Sequence, residues 1–82
     1  MTHQIKVGAM TKGVTAYDKD FDLTIDGTEY RVILHWDDND GYETTWIDKE
    51  GRFTTSPEWV WEDESFCLKL DGKEPHTVWN LL

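Results

Sequence analysis

The sequence has few of the residues that stabilise small secreted domains or serve as nucleophiles. It contains one cysteine, Cys67, and two prolines. A single cysteine excludes an intrachain disulfide, so we expect a protein of the reducing cytoplasm rather than a disulfide-linked secreted scaffold. Cys67 alternates with Phe66 and Leu68, which is typical of a small strand residue, and no candidate base lies near it in sequence.

Recognisable catalytic and metal-binding motifs are also missing. His3, His35 and His76 lie far apart, and none has a second histidine or a cysteine at metal-ligand spacing. The glycines are scattered singly, which leaves no phosphate-binding loop. A calcium loop with Gly41 in sixth position would begin at Trp36, which is not a ligand. We therefore predict that the protein is not an enzyme and uses neither cofactor nor metal.

Long hydrophobic runs are absent as well. Residues 1–8 alternate polar and apolar side chains, unlike the apolar core of a secretory signal. Hydrophobic residues make up 38% and charged residues 30%, a balance typical of a globular chain. Because 82 residues suffice for one small core, we expect a single domain over residues 1–82 with little material for a deep catalytic cleft.

Charge is the most informative property of the composition. Seventeen acids and eight lysines and arginines give a formal net charge of −9. Such a molecule repels phosphate backbones and anionic lipids, so direct binding to nucleic acids or membranes is not expected. If the charge serves recognition, the partner presents a basic surface.

Alternating hydrophobicity predicts a mostly β protein. Phe21, Leu23 and Ile25 occupy every second position and should face inward from one strand. Asp26-Gly27 then predicts a tight hairpin turn. The returning strand covers residues 30–36. Its inward face should carry Tyr30, Val32, Leu34 and Trp36.

Further turns and strands follow the same logic. Residues 37–41 and 49–51 predict turns that flank a strand over residues 42–48. Either Tyr42 and Trp46 or Ile47 could form the inward face of this strand, and the sequence does not decide between them. Alternation resumes at residues 66–70, Asp71-Gly72 predicts a turn, and residues 77–82 form a closing strand. At the start of the chain, residues 4–10 should pair with residues 14–17 through a turn at Lys12-Gly13.

One segment carries helix signals. Ser56-Pro57-Glu58 combines a capping hydroxyl, a proline at the first helical position and an early acid. The acids at 62–64 would oppose the helix dipole, so we expect at most one short helix near 57–64 or an irregular segment. The predicted fold is a small antiparallel meander, curled as a sheet or forming a half-open barrel or sandwich, with an α+β fold as the alternative.

The acids form three groups that are candidates for partner binding. Asp18, Asp20 and Asp22 recur at every second residue, which would set three carboxylates about 6.5 to 7 Å apart on one strand face. A row at that pitch resembles a phosphate backbone in outline. The alternative is that the acids only maintain solubility and protect sheet edges. The other two groups consist of Asp37, Asp38, Asp40 and Glu43, and of Glu58, Glu62, Asp63 and Glu64.

Five tryptophans in so short a chain form the second unusual feature. We assign Trp36 and Trp79 to the core. Trp46, Trp59 and Trp61 are candidate surface anchors, because indole rings are frequent at the centres of protein interfaces. The alternative is that all five supply bulk to a small core.

These features favour a protein-binding protein or inhibitor that engages the basic groove of a nucleic-acid-binding partner. In size, acidity and lack of catalytic motifs, the whole chain resembles the small inhibitory proteins of phages and mobile elements, including DNA mimics and anti-CRISPR proteins. The resemblance implies action in the host cytosol. The alternatives are a carbohydrate-binding module with tryptophan platforms and an assembly subunit that adds an edge strand from residues 77–82 to a partner's sheet. The sequence leaves open whether the protein is a monomer or a homodimer.

Overall fold

Two antiparallel sheets make up the computed structural model, which describes residues 3–12, 18–70 and 75–80. The larger sheet has the order β1-β2-β3-β4 and the smaller one β5-β6-β7, so each is a simple meander, and the two are not closed into a barrel. The mostly β prediction is therefore confirmed. The strands are β1 Ile5–Lys12, β2 Lys19–Ile25, β3 Thr28–Asp37, β4 Gly41–Asp48, β5 Trp59–Glu62, β6 Ser65–Leu68 and β7 His76–Asn80.

The β2–β3 hairpin confirms the alternation. Phe21 is 1% exposed, and Leu23 and Ile25 are buried beside it. Asp26 and Gly27 connect the strands with φ values of 49° and 85°. Both residues have the positive φ that a two-residue hairpin turn requires, and the turn directs the three apolar side chains towards the second sheet.

The β3–β4 hairpin shows which side chains of β4 face inward, which the sequence does not decide. Trp46 is only 2% exposed and Tyr42 packs against the core, whereas Ile47 lies on the opposite face. The assignment of Trp36 to the core is wrong, because its side chain is 38% exposed. Trp36 comes just before the turn, and Tyr42 lies directly opposite it on β4. The ring therefore stands at the end of the sheet, where cover by the second sheet is incomplete.

The helix expected near residues 57–64 is absent, and no α-helix occurs in the described parts of the chain. Residues 59–62 instead form β5, which pairs with β6. Trp59 lies opposite Leu68 and Trp61 opposite Phe66, so the alternating rings share the inner face. Burial of these rings outweighs a capping signal of about 1 kcal/mol.

The first strand of the chain belongs to the larger sheet. β1 pairs with β2, with Ile5 opposite Ile25 and a bulge between Val7 and Met10. The proposed partner strand at 14–17, Gly13 of its turn and the turn at Asp71-Gly72 lie outside the described residues. The closing strand is confirmed as β7, and residues 81–82 of the prediction are likewise outside the description.

Aromatic rings join the two sheets. Phe21 of β2 makes edge-to-face contacts with Phe66 of β6 and Trp79 of β7, at centroid distances of 5.5 and 5.6 Å. Phe66 also stacks on Trp59 at 5.7 Å. The assignment of Trp79 to the core is correct in part: its ring packs there but is only partly buried. These contacts fix which ends of the two sheets lie together.

Candidate partner-binding surface

The predicted row of three aspartates does not present three free carboxylates. Asp18 is 8% exposed, and one of its oxygens accepts a hydrogen bond from the backbone N–H of Trp36 at 3.0 Å and lies 3.1 Å from Nδ1 of His35. Asp20 accepts two hydrogen bonds from the Arg31 guanidinium, one of them from Nε at 2.8 Å. Of the three, only Asp22 is exposed.

The Asp20–Arg31 pair has a defined electrostatic consequence. The hydrogen bond from Arg31 is the main cause that lowers the pKa of Asp20 below its usual 3.8; burial opposes it, and the attraction of the guanidinium lowers the pKa further. The same contact raises the pKa of Arg31. This carboxylate therefore stabilises the β2–β3 pair.

The β3–β4 turn holds the first group of acids that faces solvent. Oδ1 of Asp37 accepts hydrogen bonds from the backbone N–H groups of Asn39 and Asp40, at 2.7 and 3.3 Å, which shapes the turn. Asp38 accepts a hydrogen bond from Nε1 of Trp36 at 3.2 Å. The Asp38 and Asp40 side chains are exposed, and so is Glu43 on β4.

The β5–β6 turn holds the second group. Glu62, Asp63 and Glu64 are all exposed. Asp63 and Glu64 have φ values of 51° and 57°, the left-handed conformation that glycine usually supplies in such turns.

A row of rings brings the two acidic turns to the same end of the molecule. Trp36 and Tyr42 lie with their centroids 4.7 Å apart, Tyr42 stacks on Trp61 at 4.4 Å, and Trp61 meets Trp79 at 5.6 Å. Tyr42 follows the first turn directly, and Trp61 comes just before the second. We call this region the acidic end, and its members are Trp36, Asp37, Asp38, Asp40, Tyr42, Glu43, Trp61, Glu62, Asp63 and Glu64.

Most described lysines and arginines lie away from the acidic end. Strand register places Lys6 of β1 near the β2–β3 turn, and Lys49 and Arg52 follow β4 at that same opposite end. Lys69 lies beyond the last residue of β6, again opposite the β5–β6 turn. Lys12 and Lys19 lie opposite each other on β1 and β2 and are the cations nearest in register to the acidic end, and Lys19 is buried. The charge of the described side chains is therefore polarised along the strands.

Three residues proposed from sequence lie elsewhere. Trp46 is buried, and its Nε1 donates a hydrogen bond to Oγ1 of Thr44 at 3.1 Å. Trp59 stacks on Phe66 in the inner layer. Glu58 precedes β5, and its carbonyl oxygen accepts a hydrogen bond from the backbone of Lys69, so it lies at the end opposite Glu62.

Two members of the acidic end were missed from sequence. The strand alternation predicts a core position for Trp36 and addresses only the strand face of Tyr42. The signal that identifies both is their position beside a hairpin turn, because rings at the end of a sheet are covered on fewer sides.

The histidines do not assemble a metal centre in the described residues. His3 bonds Asp26, and this hydrogen bond is the largest cause of the lowered pKa of Asp26, followed by the backbone N–H of Gln4. The His3 and His76 rings meet edge to face at 6.4 Å. Within residues 3–12, 18–70 and 75–80, no group of three or more histidine, cysteine or acidic side chains is arranged to hold an ion.

The described part of the chain contains no helix with the length and apolarity needed to cross a membrane. The described residues form a small all-β fold of two antiparallel meanders. No family model matches the chain, and no curated protein or solved structure shows significant similarity to it. Its function must therefore be argued from its own surface.

Proposed function

We propose that the protein is a non-enzymatic, protein-binding inhibitor whose acidic end enters the basic groove of a nucleic-acid-binding partner. One observation carries this proposal. Two acidic turns from different sheets lie at the same end of the molecule, connected by a row of rings that begins at the exposed Trp36, and this end is away from most of the described lysines and arginines.

The spacing of the two turns suits such a groove. Face-to-face sheets generally lie about 10 Å apart, and we take this value as the expected separation of the two groups of carboxylates. This value falls between the approximate widths of the minor and major grooves of DNA, about 6 and 12 Å. A surface that binds DNA phosphates would meet negative charge at comparable spacing. The mimicry rests on these two turns, because Asp18 and Asp20 are engaged within the protein.

The aromatic rings supply apolar contact area, which charged side chains alone do not provide. Exposed carboxylates mainly accelerate and orient association, whereas buried aromatic side chains contribute most of the affinity at many interfaces. Trp36 also offers a π face to an arginine of the partner, an interaction of about 0.5 to 2 kcal/mol. The acidic end thus provides steering and an anchor together.

The proposed setting follows from the partner. A protein that competes with nucleic acid for a basic groove acts where that groove is found, which for a phage-type inhibitor, whether DNA mimic or anti-CRISPR-like, is the host cytosol. We propose this localisation and this origin because of the general character of the chain, namely its size, its charge of −9 and its single cysteine.

Carbohydrate binding receives less support from the geometry. Of the three rings considered as platforms, Trp46 is buried, Trp59 stacks on Phe66 and Trp61 stacks on Tyr42. A sugar platform needs a ring face open to solvent, and none of these three offers one as open as that of Trp36.

The test compares two variants that lose equal charge at opposite ends. The first carries Asp38→Asn, Asp40→Asn and Glu62→Gln at the acidic end. The control carries Glu29→Gln, Glu50→Gln and Glu58→Gln near the other end. Each protein is immobilised and exposed to a panel of purified nucleic-acid-binding proteins, and the affinity for each protein captured is measured by calorimetry.

We expect the wild type to bind a member of the panel, about tenfold or more weaker in high salt, and to be displaced by competing DNA. The acidic-end variant should lose most of the affinity and the control should retain it. Trp36→Ala should also weaken binding, but the dependence of the affinity on salt should not change. Equal losses in the two charge variants, or binding that salt does not affect, would refute the proposal, and retention on polysaccharide would favour the carbohydrate alternative.

A further inference from the structure

The outer face of the larger sheet is a second surface with its own chemistry. The smaller sheet packs on the opposite face, so cross-strand register alone determines which side chains point outward here. One row across the sheet contains Asp22, Arg31, Ile47 and Phe53. The neighbouring rows contain Asp20, Ile33 and Thr45 on one side and Lys6, Thr24 and Glu29 on the other. We call these three rows the outer face.

The centre of the outer face is apolar. Phe53 is 82% exposed, whereas Phe21 and Phe66, the other two phenylalanines, are buried in the core. It lies opposite Ile47 in an antiparallel bridge, which places both side chains on the same face, and Ile33 belongs to the next row. Burial of such a ring against a partner would remove a large apolar surface from water.

The position of Phe53 is fixed by backbone hydrogen bonds. The N–H of Asp48 donates to the carbonyl of Arg52, and the N–H of Thr54 donates to the carbonyl of Trp46, each at 2.9 Å. These two bonds flank the Ile47–Phe53 pair and extend the sheet by one bridge. The ring is therefore presented by the sheet itself, and a partner would not need to order a loose loop to bind it.

The charges of the outer face nearly balance, in contrast to the acidic end. Arg31 is paired with Asp20. Lys6 shares the face with Glu29, and Lys49 adjoins the groove described next. Two molecules that each carry −9 repel one another overall, and the repulsion is weakest where both signs alternate around an apolar centre. A strongly basic partner would instead meet Arg31 and Lys49 at this face.

A shallow groove of about 560 Å³ lies beside Phe53. Ile47 lines it together with Tyr30, and Asp22, Arg31 and Lys49 stand around it. The outer face thus contains both a protruding ring and an adjacent groove with apolar and two-signed charged walls. This combination suits a two-fold interface, in which the same patch supplies both halves of each contact.

We propose that the outer face binds a second copy of this chain, with Phe53 of each copy seated in the groove beside Ile47 of the other. The area is sufficient. A stable interface of ordinary size removes about 800 Å² from each partner, roughly a seventh of the 5744 Å² of accessible surface. The molecule measures 36 × 30 × 22 Å, and one of its broad faces supplies that area. The interface involves neither acidic turn, so it does not depend on the inhibitor function.

Sedimentation equilibrium of the purified protein tests the proposal. We expect the wild type to have twice its chain mass of 9.6 kDa at high concentration and to approach 9.6 kDa on dilution. Phe53→Asp should sediment at 9.6 kDa at every concentration, because the substitution removes the ring that fills the groove and adds a charge that must lose its hydration there. Phe53→Leu should remain dimeric. Met10→Asp, which places the same charge on an exposed apolar site of β1, should also remain dimeric.

Near-ultraviolet circular dichroism establishes that each variant is folded. If Phe53→Asp does not fold, amide chemical shifts of the wild type provide the second measurement, and they should change with concentration at Ile33, Ile47 and Phe53. A wild type of 9.6 kDa at the highest concentration, or a Phe53→Asp variant of doubled mass, overturns the proposal. If the wild type is monomeric, the outer face does not bind a second copy of the chain and is a candidate site for a different protein.

Discussion

At the scale of single residues, the two hairpin turns with positive φ at both central positions differ in how well their sequences suit them. Asp26-Gly27 places glycine at φ 85°, whereas Asp63-Glu64 places two side chains at φ 51° and 57°. The first turn was predictable because glycine accepts this conformation at no steric cost. The second was not, because glutamate rarely adopts this conformation. The pairing of Trp61 with Phe66 on the flanking strands imposes it.

Replacement of Glu64 by glycine tests the strain in this turn. Glu64→Gly should raise the free energy of unfolding by about 1 kcal/mol, since a left-handed residue with a side chain costs about that much more than glycine. Urea unfolding followed by tryptophan fluorescence measures the change. Gly27→Ala is the matched reverse substitution and should lower stability by a similar amount. An unchanged or lower stability of Glu64→Gly would show that the turn is not strained.

At the scale of elements, β6 holds the small sheet to the large one. Phe66 contacts Phe21 across the interface and stacks between Trp59 and Trp79 within its own sheet. Its burial follows from the alternation of Phe66 and Leu68, which the sequence shows clearly. The sequence predicts a short helix rather than a strand at residues 59–62, because the helix-capping residues at 56–58 are a local signal. The inner position of Trp59 and Trp61 depends on a partner strand that the local sequence does not reveal.

Truncation at Phe66 should destabilise both sheets together. Phe66→Ala removes a fully buried ring and should lower the free energy of unfolding by about 3 to 5 kcal/mol. Thermal unfolding monitored by far-ultraviolet and near-ultraviolet circular dichroism should give coincident transitions at a lower temperature. Phe53→Ala, which truncates an exposed ring of the same type, serves as the control and should have little effect on the monomer. Separate transitions for the two sheets would contradict a shared core.

The Asp20–Arg31 pair between β2 and β3 predicts a pH dependence. Folding lowers the pKa of Asp20, so the pair stabilises the protein above the ordinary value of 3.8, and this contribution is lost as the pH falls through the lowered pKa of the folded state. In Asp20→Asn that contribution is absent at every pH. The stability difference from wild type should therefore be present at pH 6 and shrink towards pH 3 in urea titrations. Arg31→Gln should show the same convergence, and a constant difference in both variants would contradict this account.

At the scale of the whole molecule, the net charge was visible in the sequence but its distribution was not. Glu58 and Glu62 are four residues apart in sequence, yet a strand separates them and they lie at opposite ends. Asp18 belongs to the alternating row of acids, yet it is buried against β3. Convergence of the two acidic turns depends on contacts between sheets, above all the stack of Tyr42 on Trp61. No spacing along the chain encodes such contacts.

Polarised charge predicts that salt stabilises the isolated protein. Carboxylates crowded at one end repel each other, and salt at about 0.15 M screens charges beyond roughly 8 Å. We expect the melting temperature at pH 7 to rise by a few degrees between low and physiological salt. The variant with Asp38→Asn, Asp40→Asn and Glu62→Gln should show a smaller rise than the variant neutralised at the other end. Equal rises would mean that the acids act only through total charge.

The row of rings from Trp36 through Tyr42 and Trp61 to Trp79 has a spectroscopic consequence. Neighbouring centroids along it are 4.4 to 5.6 Å apart. At such separations the excited states of adjacent chromophores couple, so the optical signals of the row are not independent. A molecule that docks on the outermost indole will alter the emission and dichroism of rings deep in the protein, which gives the chain a built-in reporter of occupancy that needs no added dye.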